Sequence, residues 1–351
     1  MRDAAPAAGT AEDAATPGER LGGLPLALDT AGRYLANPTS LYRTITAYQH
    51  ALATEFGDLV GAEHPQGSAP EVARTVVRHT FDLSLTQLHN DGYTLARLAL
   101  FLLALLAPTP VPGAFLTPAL LTDATGQSAT ASELDTALAA LHQYGLINTH
   151  ATPPASEGGQ ALTVGQVVLH PLVHDVIALT TPPGTDHTTC HTALDTHLTR
   201  AVQDTTSAGR AGWPTARLLA PHLPPLLHRT PPTHFTTARN LLEDLAETLH
   251  AASAAAEHHL LRQCVLDAET QHLGSDHPDI LTSRNDLATA LNELGRHQEA
   301  ADLHQQNLTD RERLLGPDHP HTLNSRDNLA AARAAVARTQ LRRLPWQRSL
   351  P

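Results

Sequence analysis

The sequence predicts a mostly α-helical protein whose last third is built from repeated helix pairs. Only 3% of its 351 residues are aromatic. Leu, Ala and Val must therefore fill the cores, and Ala and Leu favour helices, whereas strands favour aromatic and β-branched residues. Many segments repeat apolar residues at intervals of three and four, which is typical of amphipathic helices. A 42-residue repeat near the C-terminus has the length of two helices and two turns.

The composition excludes several classes of function. All 23 basic side chains are arginine, set against 35 acidic ones, for a net charge of -12. Without lysine the chain cannot contain a P-loop, whose lysine reaches the nucleotide phosphates, and it cannot perform Schiff-base chemistry. The two cysteines indicate no disulfide framework. The longest apolar run, residues 95–107, contains Arg97 and is shorter than the roughly 20 residues that span a bilayer. With no signal-peptide pattern at the N-terminus, we expect a cytoplasmic protein with no membrane partner.

Residues 1–18 lack any periodicity, and we expect them to be disordered. Residues 19–93 carry a helical pattern and form the first predicted domain. Its three helices are expected in the segments ERLGGLPLALDTAGRYLA, SLYRTITAYQHALATEFGDL and PEVARTVVRHTFDLSLTQL.

Residues 94–182 predict three helices followed by a hairpin. The apolar helix ends at Pro108, a short helix follows in PGAFLTPALL, and a third begins at a capping box formed by Thr130 and Glu133. Two extended runs, GLINTHA and LTVGQVVLH, then flank a polar loop. This is the element order of a winged helix. Because Arg97 is the only basic residue from 95 to 180, and phosphate binding is largely an effect of Lys and Arg, we expect no DNA binding.

Residues 183–232 form a helical and proline-rich linker, after which the repeat begins. LGSDHPDILTSRNDLATAL starts at Leu273, and LGPDHPHTLNSRDNLAAAR starts 42 residues later at Leu315. Leu245 and Ala246 fall in the same register one period earlier, in a degenerate copy. Helix pairs of fixed period stack into an α-solenoid, which we place at residues 233–337. The last copy lacks a second helix and runs into a basic tail at 338–351.

This 42-residue unit resembles the long tetratricopeptide repeat of kinesin light chains and of many actinobacterial proteins. The resemblance implies a groove that binds a protein or peptide partner. Helix-A asparagines of such repeats hydrogen-bond the backbone of an extended peptide, and the matching positions are Asn285 and Asn328, one in each repeat. Arg284 and Arg326 lie beside them. Two alternatives are that these are ordinary exposed polar positions, or that the repeats pack against the winged helix.

A second resemblance concerns the segments before the repeats. GLPLAL, residues 23–28, and VLHPLV, residues 168–173, look like the GLPL and Met-His-Asp motifs of actinobacterial NB-ARC and other STAND regulatory NTPases. The chain as a whole resembles the C-terminal half of such a protein without its P-loop domain. The resemblance implies that Pro25 would contact an adenine base and that His170 would contact a phosphate. In this chain, however, Leu169 and Pro171 replace the methionine and the aspartate of the Met-His-Asp motif. ADP or ATP would then bind only if a separate nucleotide-binding subunit completed the site in trans.

Several histidine motifs superficially suggest metal sites. The triplets Asp-His-Pro at 276–278 and 318–320 recur at the repeat period, which favours a helix-start device in which aspartate caps and proline is preorganised. An inter-repeat metal site is the alternative. DHTTCHTALDTH, residues 186–197, lacks a second Cys/His pair at zinc spacing. HPLVHD has Pro171 where a zinc protease needs glutamate. We therefore predict no metal site, no cofactor and no catalytic residue.

The sequence as a whole predicts a non-enzymatic regulatory or scaffold protein, derived from a STAND-type signalling switch. Its repeats would mediate protein–protein interaction. The alternative is the rear half of a split ADP/ATP-dependent switch, with Pro25 and His170 contributing to the site.

Overall fold

The computed structural model describes residues 25–51, 70–151, 164–177, 184–274 and 277–343, together with residues 5, 7–9 and 182. The chain forms two compact units, residues 1–197 and 198–351. Most of the N-terminal segment expected to be disordered, and the polar loop between the two extended runs, lie outside the described residues. The mostly helical fold class is confirmed: fourteen α-helices and three short strands account for most of the described chain.

The first unit begins with three helices, α1 (Pro25–Ala36), α2 (Pro70–Asn90) and α3 (Ala96–Ala104), and residues 45–51 are also helical. Helix α3 lies within the longest apolar run of the sequence, and all of its residues except Arg97 are buried. The Arg97 guanidinium ends 3.3 Å from the Asp82 carboxylate on α2, which explains how the charge is tolerated. None of the described helices is both long and apolar enough to cross a membrane.

Helices α4 (Pro118–Thr125) and α5 (Ala131–Gln143) follow a short 3₁₀ turn at Gly113–Phe115. The predicted capping box is present at α5. The Glu133 amide donates to the Thr130 hydroxyl at 3.3 Å, and the Thr130 amide donates to the Glu133 carboxylate at 2.9 Å. Each bond satisfies a donor that the first helical turn leaves unpaired.

A three-stranded antiparallel sheet closes this segment. It consists of β1 (Val111–Pro112), β2 (Ile147–Ala151) and β3 (Val164–Leu169), with β3 in the middle. Ile147 pairs with Leu169 and Val111 with Val167. The hairpin was predicted, whereas β1 was not, because two residues ending in proline give no detectable alternation. Helix α6 (Pro171–Ile177) leaves the sheet.

The segment interpreted as a linker is itself largely helical. It contains α7 (His187–Ser207), α8 (Trp213–Leu219) and α9 (Pro224–Arg229), joined by short 3₁₀ turns. Prolines occupy the first turns of α8 and α9, where the missing amide proton leaves no hydrogen bond unmade.

The second unit ends in five consecutive helices. They are α10 (Phe235–Ala251), α11 (Ala255–Leu273), α12 (Pro278–Glu293), α13 (His297–Leu315) and α14 (Pro320–Arg343). Helices α10 and α11 form the degenerate copy, and α12 and α13 the complete one. Helix α14 begins the last copy and continues without a break through residue 338, where the basic tail was expected to begin.

The cores between these helices repeat with the sequence. We call the packing of one helix pair against the first helix of the next copy a seam. Leu266, Leu287 and Ala290 are buried near the seam of α11 and α12. Leu308, Leu329 and Ala332, each 42 residues later, are buried near the seam of α13 and α14. Leu245 and Ala246 of α10, in the same register, are fully buried. Because each apolar face is covered only when its neighbour stacks on it, the 42-residue period sets both the helix pairs and their order.

Candidate functional site

The structure brings together two of the predicted site residues. Asn285 lies on α12 and Asn328 on α14, and both are half-buried. The Asn328 side-chain amide donates to the Asn285 amide oxygen at 2.7 Å. The two first helices of successive repeats are therefore joined by an amide pair that stays partly open to solvent.

These asparagines, one in each repeat, do not occupy equivalent positions. They are 43 residues apart, whereas the period is 42. The residue equivalent to Asn285 is Asp327, and the residue equivalent to Asn328 is Asp286. The order of Asn and Asp is exchanged between the copies.

The two predicted arginines have different environments. Arg284 is largely covered, with 15% of its side chain exposed, and its guanidinium donates to Asp310 on α13 at 2.5 Å. Arg326 is half exposed and donates to Glu312 on α13 at 2.8 Å. Arg284 is therefore held within its own helix pair, whereas Arg326 bridges to the preceding one and remains accessible.

A buried arginine connects the same two helices, α12 and α14, that the asparagine pair joins. Arg311 of α13 donates to the carbonyls of Leu281 and His321 and to the Ser325 hydroxyl, at 3.2, 3.0 and 2.8 Å. The Asn307 amide also donates to the Leu281 carbonyl. Burial lowers the pKa of Arg311. Its donors satisfy acceptors on both α12 and α14, so that one side chain fixes three helices.

The preceding seam uses the opposite charge at the same register. Glu269, 42 residues before Arg311, is fully buried, and burial raises the pKa of its carboxyl group. Arg239 of α10 supplies the cation, with its guanidinium 3.1 Å from Glu269 and 2.6 Å from Asp279 on α12. A buried carboxylate needs such a partner. At the register where the later seam carries Arg311, the degenerate copy therefore carries an acid. Its cation comes from Arg239, whose equivalent one period later is Leu281.

The Asp-His-Pro turns start helices, as the repeat spacing predicted, but the capping residue is histidine. His277 is the N-cap of α12, and its Nδ1 accepts from the Asp279 amide at 3.2 Å. At α14, Nδ1 of His319 accepts from the His321 amide at the same distance. Proline follows directly in both, so the histidine and not Asp318 takes the capping position. Asp276 lies outside the described residues.

The histidines of residues 186–197 do not converge on one point. Nε2 of His197 lies 2.8 Å from the Asp123 carboxylate, whereas the rings of His187 and His191 contact each other at a tilt, with centroids 4.7 Å apart. Cys190 is buried, with its sulfur 3.9 Å from the Ala124 carbonyl, and burial raises the pKa of its thiol. These contacts tie α7 to α4 through single pairs of residues.

A different cluster was not predicted from the sequence. His250, His258 and Glu293 come from three helices, α10, α11 and α12, and their ligand atoms lie within 4.8 Å of one another. It is the one group of three potential metal ligands found among the described residues. Their separations of 8 and 35 residues match no local motif, so only the stacking of the helices shows the cluster.

The two residues of the STAND resemblance lie in the first unit. Pro25 is the first residue of α1, and its side chain lies outside the described part. His170 is exposed between β3 and α6, and its carbonyl accepts from the His174 amide. Helix α1 packs near the end of α5, where Asn37 donates to the Tyr144 hydroxyl at 2.5 Å.

Comparison with known proteins identifies a repeat in the second unit. Residues 280–321 match the tetratricopeptide repeat family. Two solved structures of kinesin-light-chain nearly identical TPR-like repeats from Podosopora anserina, one of them a variant with a single substitution, are 24% and 23% identical to this chain. Each alignment covers 48% of this chain and 76% of the other, with a TM-score of 0.33. No curated protein sequence matches.

Proposed function

We propose that this protein is a non-enzymatic scaffold that binds an extended segment of a partner protein along the first helices of its repeats. The observation that carries the proposal is the amide pair of Asn285 and Asn328, which lies within and beside the segment that matches the tetratricopeptide repeat family. Tetratricopeptide repeats in general act as platforms for protein–protein interaction.

The chemistry of the amide pair suits an extended peptide. Each side-chain amide offers two donors and a carbonyl acceptor, and a peptide backbone presents the complementary groups at every residue. The present bond between the two side chains uses one donor and one acceptor. The remaining groups can pair with a partner backbone without regard to its side chains. Arg326, half exposed on the same helix as Asn328, would add a preference for a carboxylate.

Site-specific photo-crosslinking tests this proposal for a partner of any identity. Thr289 is exposed on α12 one helical turn after Asn285, so the two share a face. A photo-crosslinker at position 289 should give an adduct of defined mass in native cell extract, and the adduct should be lost when Asn285→Ala and Asn328→Ala are combined. Gln306, exposed on α13, is the matched control position. Equal adducts from positions 289 and 306, or adducts that ignore the asparagine changes, would contradict the proposal.

We further propose that the first unit derives from a STAND-type switch. The helix–strand–helix–helix–hairpin order of α3 to β3, with β3 central, supports a winged-helix interpretation. The position of His170 directly after β3 supports its equivalence to the Met-His-Asp histidine. The alternative function, a nucleotide switch completed by a P-loop subunit, rests on these two features.

Calorimetry with nucleotides distinguishes the proposed scaffold from the alternative, a nucleotide switch completed by a P-loop subunit. The isolated chain should bind neither ATP nor ADP, because it has no lysine to build a P-loop. Binding that appears only with a partner subunit, and that is lost on His170→Ala, would favour the split switch. Binding that is unchanged by His170→Ala would remove this residue from the site.

A further inference from the structure

His250 lies near the end of α10, His258 near the start of α11 and Glu293 at the end of α12, and the three side chains form a cluster. Nδ1 of His250 is 2.5 Å from one oxygen of Glu293, and Nδ1 of His258 is 2.9 Å from the other. The two imidazole rings lie 5.2 Å apart between centroids. Both histidines therefore direct the same ring nitrogen to one carboxylate.

The cluster is not part of the repeating pattern. One period away from Glu293 in either direction the chain carries Ala251 and Ala335, and Ala300 is equivalent to His258. The repeated seams consist of apolar residues together with one buried charged residue at an equivalent position, Glu269 in one copy and Arg311 in the next. The histidines and Glu293 thus serve something that the stacking of helices does not need elsewhere in the repeats.

The electrostatics of the cluster call for a cation. Glu293 is the last residue of α12, where a carboxylate opposes the negative end of the helix dipole. Arg262 contacts His258, but its terminal guanidinium nitrogens are directed to other carboxylates. One contacts Glu247, and the other lies 3.4 Å from Asp286. Two imidazoles and one carboxylate form a ligand set that suits a divalent ion.

We propose that His250, His258 and Glu293 form a divalent-metal site, with zinc as the cation that their chemistry fits best. Two imidazole nitrogens and a carboxylate oxygen are zinc ligands at about 2.0–2.2 Å, and three protein ligands with one open position are typical of accessible zinc sites. His258 is almost fully buried, whereas half of the His250 side chain is exposed. The ion would therefore enter from the side of His250 and keep a water there.

Binding requires two rearrangements. Nε of Arg262 donates to Nε2 of His258 at 3.2 Å. Coordination through Nδ1 places the imidazole proton on Nε2, so that Arg262 must release this contact while keeping its bonds to Glu247 and Asp286. Each histidine nitrogen must also move away from the Glu293 carboxylate by less than about 1 Å, since tetrahedral ligands at about 2 Å from zinc lie roughly 3.3 Å apart.

Titration of the full chain with Zn²⁺, followed by calorimetry, tests the site directly. We expect one saturable site per chain, a rise in Tm with zinc by mass action, and visible ligand-field absorption when Co²⁺ replaces zinc. His250→Ala and Glu293→Gln should weaken binding more than about 100-fold, because outer partners of metal ligands alone contribute about 10- to 100-fold.

The chain holds 23 histidines, so a matched control is needed. His228→Ala removes an exposed histidine on α9, outside the cluster, and should bind zinc as the unchanged chain does. Circular dichroism and Tm without metal should be alike for all variants, since His250 is half exposed and Glu293→Gln keeps its shape. The absence of saturable binding, or equal affinity in His250→Ala, Glu293→Gln and His228→Ala, would overturn the proposal.

Discussion

At the scale of single residues, Arg311 joins three helices through its guanidinium. Its replacement by methionine leaves the buried hydroxyl of Ser325 and the carbonyl of His321 without this partner. An unsatisfied buried polar group costs about 1–3 kcal/mol. We therefore expect Arg311→Met to lower the free energy of unfolding by about 1–3 kcal/mol in urea denaturation.

The matched control for this change is Arg313→Met. Arg313 lies two residues further along the same helix with half of its side chain exposed. Surface changes of this kind usually stay within about 0.5 kcal/mol. If both variants had the same stability, the seam would not depend on the buried arginine.

His304 makes the stability of the repeats sensitive to acid. It is buried on α13 with an unpartnered Nδ1, and burial, together with the nearby Arg311 charge, lowers its pKa. In the unfolded chain this histidine therefore binds a proton at about pH 6.5, whereas in the folded chain it remains unprotonated at that pH. The contribution of His304 to the free energy of unfolding should be constant above neutral pH. It should fall below about pH 6.5, by at most about 1.4 kcal/mol per pH unit from this residue.

Urea unfolding at about pH 7.5 and at about pH 5.5, on either side of the ordinary histidine pKa, measures this effect. His304→Leu should lose less stability on acidification than the unchanged chain, whereas His228→Leu, at an exposed position, should behave as the unchanged chain does. An equal acid-induced loss in the His304→Leu variant would contradict the assignment.

The residue scale also shows what the sequence can and cannot predict about the site. Asn285 and Asn328 were identified from the resemblance to the helix-A asparagines of kinesin-light-chain repeats, and each copy supplies one of them. Their 43-residue separation can be read from the sequence, whereas their contact is seen only in the stacked helices. His250, His258 and Glu293 gave no signal at all, since their spacing follows no helical or motif period and their proximity is set entirely by packing.

At the scale of the elements, the turns between paired helices differ between copies. Gly295 joins α12 to α13 at φ +74°, and Ser253, one period earlier, occupies the corresponding turn at φ +53°. A non-glycine residue in the left-handed region costs roughly 1–2 kcal/mol, whereas glycine loses about 0.5–1 kcal/mol in chain entropy. We expect Ser253→Gly to raise the free energy of unfolding by about 0.5–1 kcal/mol.

The reciprocal change provides the control. Gly295→Ser should lower stability by a similar amount, and for the same backbone reason, because a Cβ at this position meets no atom within 4 Å. Thermal unfolding of the two variants beside the unchanged chain measures both effects. Shifts in the same direction would show that the conformation of the turn does not limit stability.

The helix-start histidines can be tested in the same way. Nδ1 of His277 accepts the Asp279 amide at the beginning of α12, and loss of an N-cap costs about 1 kcal/mol. His277→Ala should lose this amount in urea denaturation, whereas His277→Asn, whose side-chain oxygen can accept the same amide, should lose much less. If asparagine destabilised as much as alanine, capping would not be the role of this residue.

Element boundaries were predictable where local chemistry marks them. The capping box at Thr130, the proline starts of α12 and α14, and the glycine after α5 all correspond to helix ends in the structure. Strand β1 was missed because it consists of two residues and pairs only through its neighbour β3. Its existence depends on a contact between segments far apart in the chain, which local patterns do not contain.

At the scale of the whole molecule, the 42-residue period predicted the helix pairs that end the second unit, because their buried apolar positions recur with it. The first unit has no internal repeat, and only its element order could be read. The proposed function follows the same division: the repeats carry the binding surface, and the STAND-type origin of the first unit stays a prediction.

The central claim is that a peptide binds across the seam of Asn285 and Asn328. The most direct measurement is the affinity of peptides selected from a random library against the full chain, determined by calorimetry. Asn285→Ala combined with Asn328→Ala should weaken binding by about 10- to 100-fold, since lost hydrogen bonds contribute about 0.5–1.5 kcal/mol each. Gln306→Ala, on the exposed face of α13, should leave the affinity unchanged. Selected peptides that bind the double asparagine variant as tightly as the unchanged chain would contradict the account.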